Sequence, residues 1–302
     1  MGKPTYHISV LLKECIAALK IVPDASYVDV TFGGGGHSKE ILKHIEGGKL
    51  YVFDQDDDAI ENIPDNEQLI FIGHNFRFLK RFLRYKDAIP VQGILADLGI
   101  SSYQIDEGTK GFSTRFDGPM DMRMNQDAPL KASDILHSYT EEELVAVFSN
   151  YGEVRNSKTL ASAIITARES GVRFETTKSF TSFLDSLVIG GNPNKYYAQV
   201  FQALRIEVND EMNALKDMLL QSYEVLDKGG VLAVITFHSL EDRLVKNFMK
   251  SGNFEGERIT DEFGRSKQYF KLVSKKPIEA TKEELKMNPR SRSAKLRIAQ
   301  KV

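Results

Sequence analysis

Short apolar runs recur along this chain at Tyr27–Val30, Lys49–Phe53, Leu69–Ile72, Gly93–Leu98 and Val231–Phe237. Each reads as a β-strand, and helical patterns such as Ser38–His44 and Phe76–Tyr85 lie between them. Strands that alternate with helices predict an α/β fold with a mostly parallel, doubly wound, Rossmann-like sheet. From about Glu107 to Asn209 the strand signal fades. Thr140-Glu141-Glu142-Glu143-Leu144 is a capping-box helix start, and Lys158–Arg168 and Thr177–Leu187 have helical spacing. The pattern therefore predicts an all-helical insertion at 107–209, between the fourth and fifth strands of an α/β domain formed by 1–106 and 210–302. Glu207–Leu226 reads as one amphipathic helix stopped by Asp227-Lys228-Gly229-Gly230. No internal repeat or low-complexity tract interrupts this order.

Composition narrows the class. The 302 residues are 41% hydrophobic and 27% charged, enough for a full core. The net charge of −2 argues against a generally basic nucleic-acid coat, so any RNA contact must be local. No apolar run approaches the ~20 residues that cross a bilayer. The opening Met-Gly-Lys-Pro-Thr-Tyr has no secretory apolar core, and Tyr6 does not fit a myristoylation signal. A single cysteine, Cys15, excludes an internal disulfide and a thiolate-rich zinc site. The expectation is a cytoplasmic protein whose chemistry uses no metal.

The candidate chemistry begins at Tyr27-Val28-Asp29-Val30-Thr31-Phe32-Gly33-Gly34-Gly35-Gly36-His37-Ser38, a strand that breaks into four glycines and enters a helix. That is where an open α/β sheet brings its backbone close to a nucleotide-like ligand. A dinucleotide fingerprint needs a third glycine where Ser38 stands, and a P-loop needs a lysine that Gly36-His37-Ser38 lacks. Asp29-x-Thr31-x-Gly33-x-Gly35 fits the acidic and small-residue pattern of S-adenosylmethionine (SAM) sites. A glycine turn without a ligand is the simpler alternative.

Four further strand ends converge on the same sheet edge. Asp54 ends the second strand, where a carboxylate can accept both ribose hydroxyls. Asp56 to Asp58 read as solvent-facing caps of the next helix. Phe76, after the third strand, suits an adenine face or staples the following helix. The fourth strand ends in Asp97-Leu98-Gly99-Ile100-Ser101-Ser102-Tyr103-Gln104. A buried Asp97 without donors would cost several kcal/mol, so donors are expected there, with a ligand as one source. The fifth strand leads into His238-Ser239-Leu240-Glu241-Asp242-Arg243, where Ser239 and Asp242 read as a second capping box. His238 is either a structural hydrogen-bonder or a base.

Seven motifs in order carry a resemblance: His7-x-x-Val10-Leu11-Leu12-x-Glu14, Asp29 to Ser38, Asp97 to Ser102, Asp117-Gly118-Pro119-Met120-Asp121-Met122-Arg123-Met124, Phe201-Gln202-Ala203-Leu204-Arg205-Ile206, His238 to Arg243 and Asn288-Pro289-Arg290-Ser291-Arg292-Ser293. From about His7 to Lys301 the chain resembles the bacterial 16S ribosomal RNA (cytosine-N4)-methyltransferases of the MraW-like type. The resemblance implies a class I SAM-dependent methyltransferase sheet with an inserted helical domain that recognises RNA. It implies methylation of the N4 amino group of one decoding-centre cytidine, with 16S rRNA of the small ribosomal subunit as partner. It carries cofactor contacts onto Gly35, Gly36, His37, Asp54, Phe76, Asp97 and Gln104. Tyr103, Gln199, Val200, Lys110 and Thr114 depart from the family pattern, all in the presumed substrate half. A homodimer is compatible with the sequence, which does not decide oligomeric state.

The cytosine N4 lone pair is delocalised, so hydrogen-bond acceptors on its amino protons would help it attack. Ser101, Ser102 or nearby backbone carbonyls are the candidate acceptors, with His238 as the alternative proton acceptor. Lys286, Arg290, Arg292, Lys295, Arg297 and Lys301 fall within an acid-free C-terminal tract suited to phosphates. Arg77, Lys80, Arg81, Arg84 and Lys86 form a second cluster, either RNA-binding or merely a solvated helix face. Tyr103, Phe112 and Phe116 are candidates to stack on an extruded base, against core packing as their ordinary role. Two rival functions stay open: a methyltransferase for a small molecule, and a non-enzymatic ribosome-assembly factor.

Overall fold

A computed structural model of the chain describes residues 9–101, 104, 108–188, 191–257, 260 and 268–302. The strands are β1 (Tyr27–Asp29), β2 (Leu50–Phe53), β3 (Leu69–Ile72), β4 (Val91–Asp97), β5 (Leu226–Thr236), β6 (Phe270–Leu272), β7 (Ile278–Glu279) and β8 (Lys295–Lys301). The helices are α1 (Leu12–Leu19), α2 (Gly36–Leu42), α3 (Leu79–Tyr85), α4 (Ala132–Ser138), α5 (Glu141–Gly152), α6 (Ser157–Glu169), α7 (Thr177–Asp185), α8 (Pro193–Asn209), α9 (Glu211–Val225), α10 (Ser239–Ser251) and α11 (Lys282–Met287). Among the described residues, no helix is long and apolar enough to cross a membrane. The chain divides into two compact units, Met1–Gly99 with Met212–Val302, and Ile100–Glu211.

In the first unit the five apolar runs are β1 to β5, parallel and in the order β3-β2-β1-β4-β5. Alternate side chains face opposite sides, as the two-residue period of a strand requires. Val28, Phe53, Ile94, Ala96 and Val234 pack with Leu79 and Leu83 of α3, Met218 of α9 and Phe248 of α10. Tyr27, Val52, Leu95 and Ile235 pack on the other face with Cys15 and Leu19 of α1 and Ile41 of α2. The sheet is thus doubly wound. It then continues beyond the expected strands: β8 runs antiparallel to β5 and carries β6 and β7. The charges of the C-terminal tract mask β8 in the sequence. Leu296 and Ile298 are buried and alternate with the less buried Lys295 and Arg297, a two-residue period.

The second unit is helical. The Thr140–Glu143 box forms as read: Thr140 Oγ1 accepts the Glu143 N–H at 3.3 Å, and Glu143 Oε2 accepts the Thr140 N–H at 2.8 Å. Helices α4 to α8 close over Leu136, Phe148, Leu160, Phe174, Phe180, Phe201 and Leu204.

Three local expectations fail. Glu207–Leu226 is two helices, broken at Asp210 in the left-handed region (φ 49°). The break is held by tertiary bonds: Asn209 binds the backbone of Met122 and Met124, and Arg205 grips Glu211 at 2.8 and 3.0 Å. The Asp227–Gly230 stop is no helix cap, since α9 ends at Val225 and those residues form an irregularity early in β5. The cap of α10 is His238, one residue before the expected Ser239, and its box partner is Glu241.

Candidate active site

The glycine turn sits at the carboxyl end of β1, beside β4, where the strand order reverses. Asp29 is buried, and each of its oxygens is engaged. Oδ2 accepts the Ser38 hydroxyl at 2.6 Å, and Oδ1 accepts the Thr31 N–H at 3.1 Å. Thr31 Oγ1 in turn accepts the Asp97 N–H at 2.6 Å, tying the ends of β1 and β4 together. Gly33 and Gly35 take positive φ (51° and 72°), which glycine adopts without steric cost. A Cβ on Gly34 would meet nothing within 4 Å, whereas one on Gly36 would run into Ser9 Oγ. The open side of the turn is therefore at Gly34, and Gly36 is glycine because Ser9 packs against it.

Asp54 lies just past β2. Its Oδ2 accepts the Gly33 N–H and its Oδ1 the Asp56 N–H, at 2.8 and 2.9 Å. Burial still outweighs these bonds and pushes its carboxyl up to about 6. Asp56 caps the short turn that follows, accepting the Asp58 N–H, but it is buried rather than facing solvent as expected. Phe76 heads the turn before α3 and packs half-buried against the core of the first unit. Asn75 caps that turn and holds Gln55.

Asp97 is buried at its Oδ1, which has no hydrogen-bond partner among the described residues. Its Oδ2 lies 3.8 Å from His37 Nδ1. His37 Nε2 faces the Val10 carbonyl at 3.0 Å and must donate to it, since a carbonyl only accepts. His37 is thus fixed by the backbone on one edge and presents Nδ1 to Asp97 on the other. Burial first, then the charges of Asp29 and Glu241, hold the Asp97 carboxyl well above the usual carboxylate range.

His238 lies past β5, and the structure gives it a capping task. Its Nδ1 accepts the Glu241 N–H at 3.4 Å, while Glu241 Oε2 accepts the N–H groups of Phe237 and His238. His238 Nε2 lies 3.1 Å from Glu241 Oε1 without hydrogen-bond alignment. Glu241, which completes this cap, stands at the third helical position after the capping residue, a signal the sequence already carries.

Ser101 and Gln104 belong to the second unit and close on each other. The Ser101 N–H donates to Gln104 Oε1 at 3.1 Å, and the Gln104 N–H to Ser101 Oγ at 3.2 Å. Ser102 and Tyr103 lie outside the described residues. Phe112 is buried in the helical core, so packing is its role, while Phe116 is exposed. Two of the family departures also fall on packing: Val200 is fully buried, and Gln199 donates to the Glu153 carbonyl. The Asp117–Met124 motif is occupied in stitching its unit together. The Gly118 carbonyl accepts the Thr177 N–H while the Gly118 N–H donates to Thr177 Oγ1, and Arg123 forks onto Asp121 at 2.8 Å twice.

The basic tract is likewise divided by its partners. Arg297 forks onto Asp242 at 2.7 and 3.0 Å, and Lys301 donates to the Leu226 carbonyl at 2.6 Å. Lys286, Arg290 and Arg292 remain exposed.

The chain matches, over residues 4–302, the family model described as the MraW methylase family. It is 53% identical over 298 residues to the ribosomal RNA small subunit methyltransferase H of Bacteroides fragilis, covering 98% of each chain. It is 54% identical over 298 residues to the protein of the same name in Bacteroides thetaiotaomicron, again covering 98% of each. Among solved structures, an rRNA methylase from Streptococcus thermophilus aligns over 100% of this chain and 98% of its own, at 11% identity and TM-score 0.41.

Proposed function

The chain belongs to the MraW methylase family, a SAM-dependent methyltransferase of small-subunit rRNA, and from that premise we propose that it methylates the N4 amino group of a decoding-centre cytidine in 16S rRNA. The observation that carries the site is Asp97 Oδ1, a buried oxygen at the carboxyl end of β4 with no donor among the described residues. A buried acceptor left unpaired costs about 1–3 kcal/mol, so it persists where a ligand supplies the missing hydrogen. The open side of Gly34 and the carboxylate of Asp54 fit the same group.

When bound, SAM supplies an electrophilic methyl group on a sulfonium. The backbone of Gly35, Gly36 and His37 would hold it, with Asp54 accepting ribose hydroxyls, Phe76 against the adenine, and Asp97 and Gln104 as further contacts. His37 acts here through its backbone and through Asp97, because its ring is fixed by Val10. Ser101, Ser102 or adjacent carbonyls accept the cytosine amino hydrogens, which localises the N4 lone pair. His238 is the other candidate acceptor, and it must then leave its cap on α10. Well-oriented reactants gain up to about 7–11 kcal/mol from positioning alone, so the residues that hold and orient contribute most.

Methyl transfer from labelled SAM to unmodified 30S subunits, followed by mapping of the product, tests this reading. Label at N4 of one decoding-centre cytidine is expected. Label on another nucleotide overturns the site, and transfer to a small molecule alone overturns the RNA substrate. Turnover of Ser101→Ala and His238→Ala at saturating SAM then sorts the acceptors, because a near-wild-type rate removes that residue from the chemistry.

A further inference from the structure

The basic cluster at 77–86 is split by its neighbours into two halves with different fates. Leu79 and Leu83 are fully buried and seat α3 on the first unit. On the flank that meets α9, Arg77 Nη2 lies 3.0 Å from Asp217, and Lys80 pairs with Glu224. Gln221 of α9 fixes the backbone there, accepting the Lys80 N–H at 2.9 Å and donating to the Arg77 carbonyl at 2.6 Å. These two cations are neutralised, and they clamp the helix as a rigid platform.

The remaining face is different. Phe78, at the end of the turn before α3, and Tyr85, at the end of α3, are 44% and 79% exposed, with Arg81 between them in sequence. Arg81, Arg84 and Lys86 are exposed, and among the described residues no carboxylate lies within ion-pair distance of them. Asp87 is the one acid in the 76–88 segment. Lys86 Nζ stands 5.6 Å over the Tyr85 ring, so charge and aromatic surface share one patch.

We propose that this outward face of α3 binds the RNA substrate, with Arg81, Arg84 and Lys86 on phosphates and Tyr85 stacked on an unpaired base. The inference rests on the rRNA reading above. Cations without acidic partners beside an exposed ring are what single-stranded RNA requires: charge along the backbone and a π-face for a base. The patch also lies in the segment headed by Phe76, the adenine-facing candidate. An anionic bilayer would also attract the charge. However, α3 is seven residues long, docked along α9, and offers only Phe78 and Tyr85 as apolar anchors, too little for interfacial insertion.

The test measures binding of unmodified 16S rRNA across a salt series, beside calorimetric SAM binding. Each single-strand phosphate contact contributes about −0.7 to the slope of log K against log salt. Arg81→Ala/Arg84→Ala/Lys86→Ala should make that slope shallower by about 2 and leave SAM affinity unchanged. Tyr85→Ala should weaken binding at least about fivefold without changing the slope, and Tyr85→Phe should restore it. An unchanged slope in the triple variant overturns the proposal. So does a variant that binds RNA normally but no longer binds vesicles of phosphatidylserine and phosphatidylcholine, which would assign the face to a membrane. The slope reads this surface on its own. Failure of the wild type to methylate 30S subunits is a separate result and counts against the function instead.

Discussion

Replacing Asp97 by Asn should make the SAM-free protein more stable while abolishing its use of SAM. Asn matches the carboxylic acid in size, so the change removes a titratable group without opening a cavity. Asp97 is held well above the ordinary 3.8 by burial and by Asp29 and Glu241. A carboxyl raised in this way binds more protons folded than unfolded, so wild-type stability falls as pH rises from about 4 toward its folded value. Each pH unit in that window removes at most about 1.4 kcal/mol, which sets a ceiling of about 4 kcal/mol at neutrality. The new amide returns part of the gain, because its N–H groups need acceptors; His37 Nδ1, 3.8 Å from Oδ2, is at hand for one. With about 1–3 kcal/mol at stake for an unpaired buried group, a net gain of about 1–3 kcal/mol is expected at pH 7. That corresponds to roughly 2 °C or more in melting temperature per kcal/mol. The assay is thermal unfolding of both SAM-free proteins from about pH 4 to about pH 8, with SAM titrated into each. The stability difference should shrink toward pH 4, where both side chains are neutral, and grow toward pH 7. A difference that is flat with pH, or negative at neutrality, would refute the buried-charge argument. Unchanged SAM affinity in Asp97→Asn would refute the assignment of its orphan oxygen to the ligand.

Three further outcomes follow from other parts of the molecule. Asp54, pushed up to about 6, must be ionised to accept two ribose hydroxyls. SAM affinity should therefore fall by up to about tenfold per pH unit below about 6, and calorimetry that finds a flat profile from pH 7 to pH 5 contradicts its role. A Cβ on Gly118 would overlap the Gly108 carbonyl, so Gly118→Ala should destabilise the helical unit by ~2 kcal/mol or more, read by denaturant unfolding. Arg297→Ala should cost about 2 kcal/mol by leaving Asp242 only the more distant Lys295, yet leave the salt slope of rRNA binding unchanged; Arg292→Ala should instead reduce that slope by about 0.7.

Much of the sheet was legible because strand signals are local. Tyr27–Val30 and Leu69–Ile72 announce themselves by a run of apolar side chains, and Thr140 with Glu143 announces a helix start across three residues. The glycine turn was legible for the same reason: Asp29, Thr31 and Ser38 meet through bonds spanning a few positions. The α8–α9 break was not, because it depends on Asn209 binding Met122 and Met124, more than 80 residues away. Nor was β8, whose lysines and arginines read as a phosphate-binding tail until Arg297 is seen on Asp242 and Lys301 on Leu226.

Periodicity, caps and glycine placement thus suffice for the α/β class, the helical insertion and the position of the candidate SAM turn. They are properties of neighbouring residues and survive without knowledge of the fold. Whether a polar side chain is available for function is a different kind of fact, because it depends on what long-range folding sets against it. The backbone N–H of Leu11 is satisfied by Glu284, 273 positions away. By the same accounting Arg77, Arg123, Arg205 and Arg297 are committed to holding the fold. Only the tertiary structure leaves Asp97 Oδ1 buried without a donor, and Arg81, Arg84 and Lys86 exposed without an acid, among the described residues.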